Sequence, residues 1–170
     1  KMRRIGRISI ISSLAALIVA SAAALSVYAL DTPPRPPLDR PIVDQTQTLS
    51  DVDITTLSDK INASRKEKDY QLGILIIPTL ADESLEGFSL KVARAWGIGE
   101  KDKDNGVLLL VAKNDRKLRI EVGRGLEGDL TDVEANRIIR NVITPQFKKG
   151  AYAAGVTQGV ESIVAQVEGK

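Results

Sequence analysis

The side chains best suited to chemistry in this sequence are carboxylates, gathered in two short stretches. "EKDKDN" (residues 100–105) supplies Asp102, Asp104 and Asn105, and "GRGLEGDLTD" (123–132) supplies Glu127, Asp129 and Asp132, with Glu121 just before it. The chain has no histidine and no cysteine, which removes Ser-His-Asp catalysis, phosphohistidine chemistry, thiolate ligation and disulfides together. A metal held here must be held by oxygen, which selects calcium, magnesium or manganese. Clustered carboxylates repel unless a cation or a basic side chain sits among them. Calcium takes roughly six to eight oxygens from carboxylates, amides, backbone and water, so flexible acidic loops suit it. The alternative is a solvated rim, with Lys101, Lys103 and Arg124 as counter-charges and Asp132 favouring the start of a helix.

Whether the two stretches meet depends on the elements between them. "GVLLLVA" (106–112) reads as a buried strand, and "KLRIEV" (117–122) alternates like a half-exposed one. The intervening "KNDR" is a hairpin-sized turn. In an antiparallel hairpin Gly106 falls near Gly123, at the end away from the turn, and both acidic loops share one rim of the sheet. Glycines at this junction permit close backbone approach or unusual dihedrals. The expected divalent-cation site draws on Asp104, Asn105 and Asp129, with Asp132 as a further donor.

The remaining elements supply the frame. Ser50 reads as the N-cap of "DVDITTLSDKINASRKE", and "YQLGILIIP" (70–78) as a buried strand. "ESLEGFSLKVARAW" (83–96) has helical apolar spacing and stops at Gly97. Thr131 and Glu134 form a capping box that opens "DVEANRIIRNVI", which Pro145 ends or bends. A last helix runs from about Ala151 to Val167. Two strands buried on both faces need helices on both sides. The fold class is therefore α/β, a three-layer α/β/α sandwich with a short mixed sheet.

Several patterns invite other chemistry. Gly123, Gly125 and Gly128 match G-x-G-x-x-G, yet the next acid after Glu134 is Glu161 and no strand follows the helix. A dinucleotide fingerprint needs both an acid about 20 positions on and a second parallel strand, so no nucleotide is expected. "EKDKDNG" is not an EF-hand, because its glycine comes one residue late and a strand follows. "DVDIT" (51–55) matches an aspartyl-phosphatase string, but it opens an amphipathic helix, where two acids favour the dipole. Arg116 and Arg119 flank the hairpin turn and read as structural, and Trp96 reads as a core anchor.

The N-terminal segment carries Lys1, Arg3, Arg4 and Arg7, then no charge from Ile8 to Leu30. As a helix this run spans about 34 Å, enough to cross the hydrocarbon core of a bilayer. The basic flank places whatever follows Leu30 outside the cytoplasm. Val27-Tyr28-Ala29 and Ala20-Ser21-Ala22 leave a cleaved signal peptide open beside an uncleaved signal anchor. "DTPPRPPLDRP" (31–41) has five prolines and reads as a semi-rigid spacer. After Arg7 the chain has 20 basic and 22 acidic residues, interspersed, so no nucleic-acid footprint is present.

"IVDQTQTLS", "WGIGEKDKDNGVLLLVAKNDRKLRIEVGRGLEGDLTD" and "ITPQFKKGAYAAGV" together resemble the TPM domain over about residues 42–167. This is an extracytoplasmic family of bacterial membrane proteins, plant thylakoid-lumen proteins and a receptor auxiliary subunit. The resemblance implies an α/β/α sandwich. It also implies that Asp44 of "IVDQ" lies near the acidic rim and joins the metal ligands. Members are described as acid phosphatases, as calcium binders, and as assembly or repair factors for membrane complexes such as photosystem II. The expected organisation is an anchor or signal at 1–30, a linker at 31–41 and a TPM domain at 42–170. No nucleophile–base pair is evident. The expected function is that of a periplasmic or cell-surface accessory, assembly or stabilising subunit of a membrane-protein complex, with calcium or another divalent cation. The alternative is a metal-dependent acid phosphatase, in which loop carboxylates position a cation and a water.

Overall fold

The computed structural model describes residues 29–99 and 102–170. The basic flank and the apolar run through Tyr28 lie outside the described residues, as do Glu100 and Lys101. The anchor and cleaved-signal expectations fall there. Among the described residues no helix is long and apolar enough to cross a membrane.

A four-stranded mixed sheet has the order β1 (Ile42–Asp44), β2 (Gln71–Ile77), β3 (Gly106–Ala112), β4 (Lys117–Val122). The first three strands are parallel and β4 returns antiparallel to β3, with Val107 opposite Val122 and Ala112 opposite Lys117. Strand β1 gives no signal in the sequence, because three residues are too few to show a period of two. It pairs Ile42 with Ile74 and Asp44 with Ile76.

Every residue of β3 is buried, because alternate side chains feed two separate cores. On one face Leu72, Ile74 and Leu109 meet α1 (Asp51–Glu67), α3 (Asp132–Ile138) and α5 (Tyr152–Glu168). On the other, Leu75, Leu108 and Leu110 meet Phe88 and Val92 of α2 (Leu85–Ala95) and Trp96 just beyond it. The result is the three-layer α/β/α arrangement. The β1–α1–β2 and β2–α2–β3 crossovers step the same way across the sheet yet cover opposite faces. They therefore have opposite hands, and one departs from the usual right-handed rule.

The expected caps form. Ser50 and Thr131 each accept from the third helical amide, while Asp53 and Glu134 reach back to the cap amides. These hydrogen bonds hold both carboxyls below their ordinary pKa. The helix opened by Thr131 does not stop at Ile143. It widens into a π turn over Ile139–Ile143 and continues as α4 (Thr144–Lys148). Pro145 has no N–H to close an α-helical bond on Asn141, and the wide turn lies just before it.

The proline-rich segment, expected as a semi-rigid spacer, touches the domain near its start. Pro33 is buried, and its carbonyl accepts from Trp96 Nε1 at 2.8 Å. Leu30 packs into the Phe88–Trp96 cluster. Extended prolines thus lie along the α2 face, and the lone tryptophan anchors them as well as the core.

Candidate functional site

Two rims of the sheet gather polar side chains, and the parallel strands separate them. At the amino-terminal rim of β2 and β3, the loop before β3 packs on the loop after β4. Gly123 N–H donates to the Gly106 carbonyl at 2.7 Å, and Gly125 N–H to the Asp104 carbonyl at 3.0 Å. A methyl at Gly123 would lie 2.1 Å from the Asp104 carbonyl oxygen, and one at Gly125 2.0 Å from that of Lys103. Both contacts are with backbone, which cannot give way easily. These two glycines serve loop-on-loop packing, whereas a methyl at Gly128 would meet nothing within 4 Å. The expected shared rim is present.

The acids on that rim do not converge. Asp104 is exposed and sits at φ 47°, a left-handed conformation uncommon outside glycine. Asn105 is buried, donates from Nδ2 to the Asp69 carbonyl at 2.6 Å, and accepts at its own carbonyl from Gln71 N–H at 3.0 Å. Its side chain therefore clamps the β3 loop to the start of β2. Asp129 pairs with Lys68 Nζ at 3.0 Å, and Glu121 with Arg119 Nε at 2.6 Å. Asp132 is exposed in the first turn of α3. Lys103 pairs with Asp69 at 2.6 Å. Among the described residues no group of three acids is placed to hold a metal ion. Among the described residues the donor set does not form a preformed cation site.

Asp44 lies on the other rim, which corrects the placement implied by the resemblance. Asp44 is level with Ile76 and Val111, near the carboxyl ends of the parallel strands, while Gly106 begins β3. Seven residues of strand, about 20 Å at roughly 3.3 Å each, separate the two ends of β3. The Asp44 carboxylate is occupied locally. It accepts from Thr46 N–H at 3.0 Å, Thr46 Oγ1 at 2.7 Å and Leu49 N–H at 2.8 Å, and so shapes the β1–α1 loop.

The carboxyl rim also holds a cavity of about 410 Å³ between the β3–β4 turn, α4 and the start of α5. Lys113, Arg116, Lys117 and Lys148 line it, and Phe147 and Tyr152 form part of its apolar wall. The two rings sit 5.0 Å apart and tilted by 52°, with Lys113 Nζ 4.6 Å from the Tyr152 ring centre. Asp115, also in the turn, points away. Its carboxylate accepts from Leu80 N–H at 2.6 Å and Thr79 Oγ1 at 2.9 Å, tying the turn to the β2–α2 loop. Those bonds hold its pKa below the ordinary value. In open α/β sheets ligands favour this carboxyl rim. Sequence reasoning placed Arg116 here but treated it as structural. It missed Lys113, Lys117, Lys148 and Tyr152, whose only common signal is a cluster of basic residues at two distant points of the chain.

Fold and rims define an α/β/α sandwich with a basic cavity at one end of the sheet and dispersed acids at the other. The family model of the TPM domain matches residues 42–166. The chain belongs to the TPM domain family. The N-terminal domain of a protein from P. gingivalis, solved by solution NMR, is 34% identical with a TM-score of 0.72, covering 78% of this chain and 84% of that one. The N-terminal domain of the cg2496 protein from Corynebacterium glutamicum shares the fold at 18% identity and TM-score 0.61, covering 82% and 87%. The BA42 protein of the psychrophilic bacterium Bizionia argentinensis does so at 20% and 0.62, covering 73% and 84%. No curated protein matches the chain.

Proposed function

We propose that the chain is an extracytoplasmic, membrane-associated accessory subunit that assembles or stabilises a membrane-protein complex. The observation that carries this reading is the docking of Leu30, the last residue of the uncharged run. Its N–H donates to Glu83 Oε1 at 3.2 Å, its carbonyl accepts from Lys91 Nζ at 2.8 Å, and its side chain packs against the cluster that contains Phe88. The domain is thus fastened directly to the end of that run, which suits a module working close to a membrane surface. Membership of the TPM family supports the same reading. Gentle detergent extraction followed by mass spectrometry tests it: a stoichiometric membrane-protein partner is expected, and purification as a lone monomer overturns it.

A second reading, a metal-dependent acid phosphatase, is favoured by the matched family's designation as a TPM phosphatase. It requires the 102–105 and 123–132 loops to bring Asp104 together with Asp129, which now pairs with Lys68. Calorimetric titration with calcium and magnesium, alongside hydrolysis of a chromogenic phosphate ester, tests it. No heat at millimolar metal, or unchanged hydrolysis in Asp104→Ala and Asp129→Ala, removes these residues from the chemistry.

A further inference from the structure

We propose that the cavity on the carboxyl rim binds a phosphate group carried by an apolar ligand, and that its position favours the head group of an anionic phospholipid. The charge is one-sided: four cationic side chains line the cavity and no acidic one does. Among the described residues Lys113, Arg116, Lys117 and Lys148 make no ion pair, whereas Asp115, the nearest acid in the turn, is committed to Leu80 and Thr79. Lysines and an arginine around one concavity suit a phosphate, whose several oxygens accept from point charges and from a guanidinium fork. Phe147 and Tyr152 offer a surface on which the apolar part of the ligand can lie. The volume is that of a small-molecule site.

Two details sharpen the assignment. Arg116 holds a left-handed backbone conformation, φ 54°, at a turn position that glycine or asparagine would occupy with less strain. Arg116 at that turn position lines the cavity. The start of α5 at the cavity has no side-chain cap, since Ala151 offers no acceptor, and Gly150 and Tyr152 beside it are lining residues. Its partial positive charge adds to that of the side chains.

Position argues for lipid over a soluble ester. The β3–β4 turn is tied by Asp115 to the Thr79–Leu80 segment. Three residues further on, Glu83 receives the amide of Leu30. The cavity and the end of the uncharged run therefore lie on the same rim. On the membrane-associated reading above, on which this step rests, a domain fastened at Leu30 turns this rim toward a membrane surface, where anionic head groups are concentrated.

The test uses the full chain in uncharged maltoside micelles and follows backbone amide shifts during titration. Four probes are compared: dihexanoyl phosphatidylglycerol, dihexanoyl phosphatidylcholine, phenyl phosphate and inorganic phosphate. Saturable shifts at Lys113, Arg116, Gly150 and Tyr152, but not at residues 123–132, are expected with the anionic lipid. Lys113→Gln and Arg116→Gln should each weaken binding about five- to tenfold, and the remote Lys66→Gln should leave it unchanged. Unaltered Trp96 emission in each variant shows that the fold is kept. Phenyl phosphate binding as tightly as the lipid overturns the lipid source while supporting a phosphate site. Saturation by none of the anions, or full binding by Lys113→Gln and Arg116→Gln, overturns the site. The outcome is separate from that of the accessory reading, since co-purification and anion binding are read independently.

Discussion

Replacing Gly125 with alanine tests whether the G-x-G-x-x-G string exists for packing. The added methyl would sit 2.0 Å from the Lys103 carbonyl oxygen and 3.2 Å from that of Asp104. Relief requires the two loops to part, which stretches the Gly125 N–H to Asp104 hydrogen bond now at 3.0 Å. Overpacking of this kind costs about 1–3 kcal/mol, and a lost intramolecular hydrogen bond about 1 kcal/mol net. The sum is about 2–4 kcal/mol, or roughly 5–15 °C in Tm for a chain of this size. Gly128→Ala is the internal control, because its methyl would touch nothing within 4 Å, and its effect should stay within about 0.5 kcal/mol. Urea unfolding followed by emission of the lone, buried Trp96 measures both. Equal loss in the two variants, or a Gly125→Ala cost under about 0.5 kcal/mol, would refute the packing explanation.

Other expectations follow from the same geometry. Leu109→Ala, at a wholly buried position of β3, should cost about 2–5 kcal/mol in the same unfolding assay. Ser50→Ala removes a reciprocal cap from α1 and should cost about 0.5–2 kcal/mol. Trp96→Phe deletes the donor to the Pro33 carbonyl, so exchange protection of the Leu30 amide, read by NMR, should fall about tenfold. Asp115 is held below its ordinary pKa of 3.8, first by the Leu80 amide and next by the Thr79 hydroxyl. Its contribution to stability is therefore full above that value and is lost as pH falls through the lower folded pKa. Asp115→Asn should flatten the acid limb of stability below about pH 4; an unchanged limb would count against the contact.

Local signals in the sequence determined much of the fold. Ser50 and Thr131 start helices because their side chains satisfy amides three residues on, an interaction needing nothing distant. The β3–β4 hairpin, its turn at 113–116 and the meeting of Gly106 with Gly123 also follow from local spacing. What the sequence left open depended on partners far along the chain. The three residues of β1 become a strand only by pairing with β2. The proline segment reads locally as a semi-rigid spacer, and nothing local shows that Trp96 binds it.

The candidate sites divide in the same way. Composition alone excluded histidine and cysteine chemistry, because the atoms are absent. Hairpin geometry brought the acidic loops to one rim, but only tertiary structure decided that Asn105 braces β2, that Asp129 faces Lys68 and that Asp44 lies across the sheet. The basic cavity is not legible in the sequence, since Lys113 to Lys117 and Lys148 are separated by some thirty residues and several helical elements. Strand and cap propensities are encoded over a few residues, whereas the direction of a side chain toward a distant neighbour is set by how the layers pack.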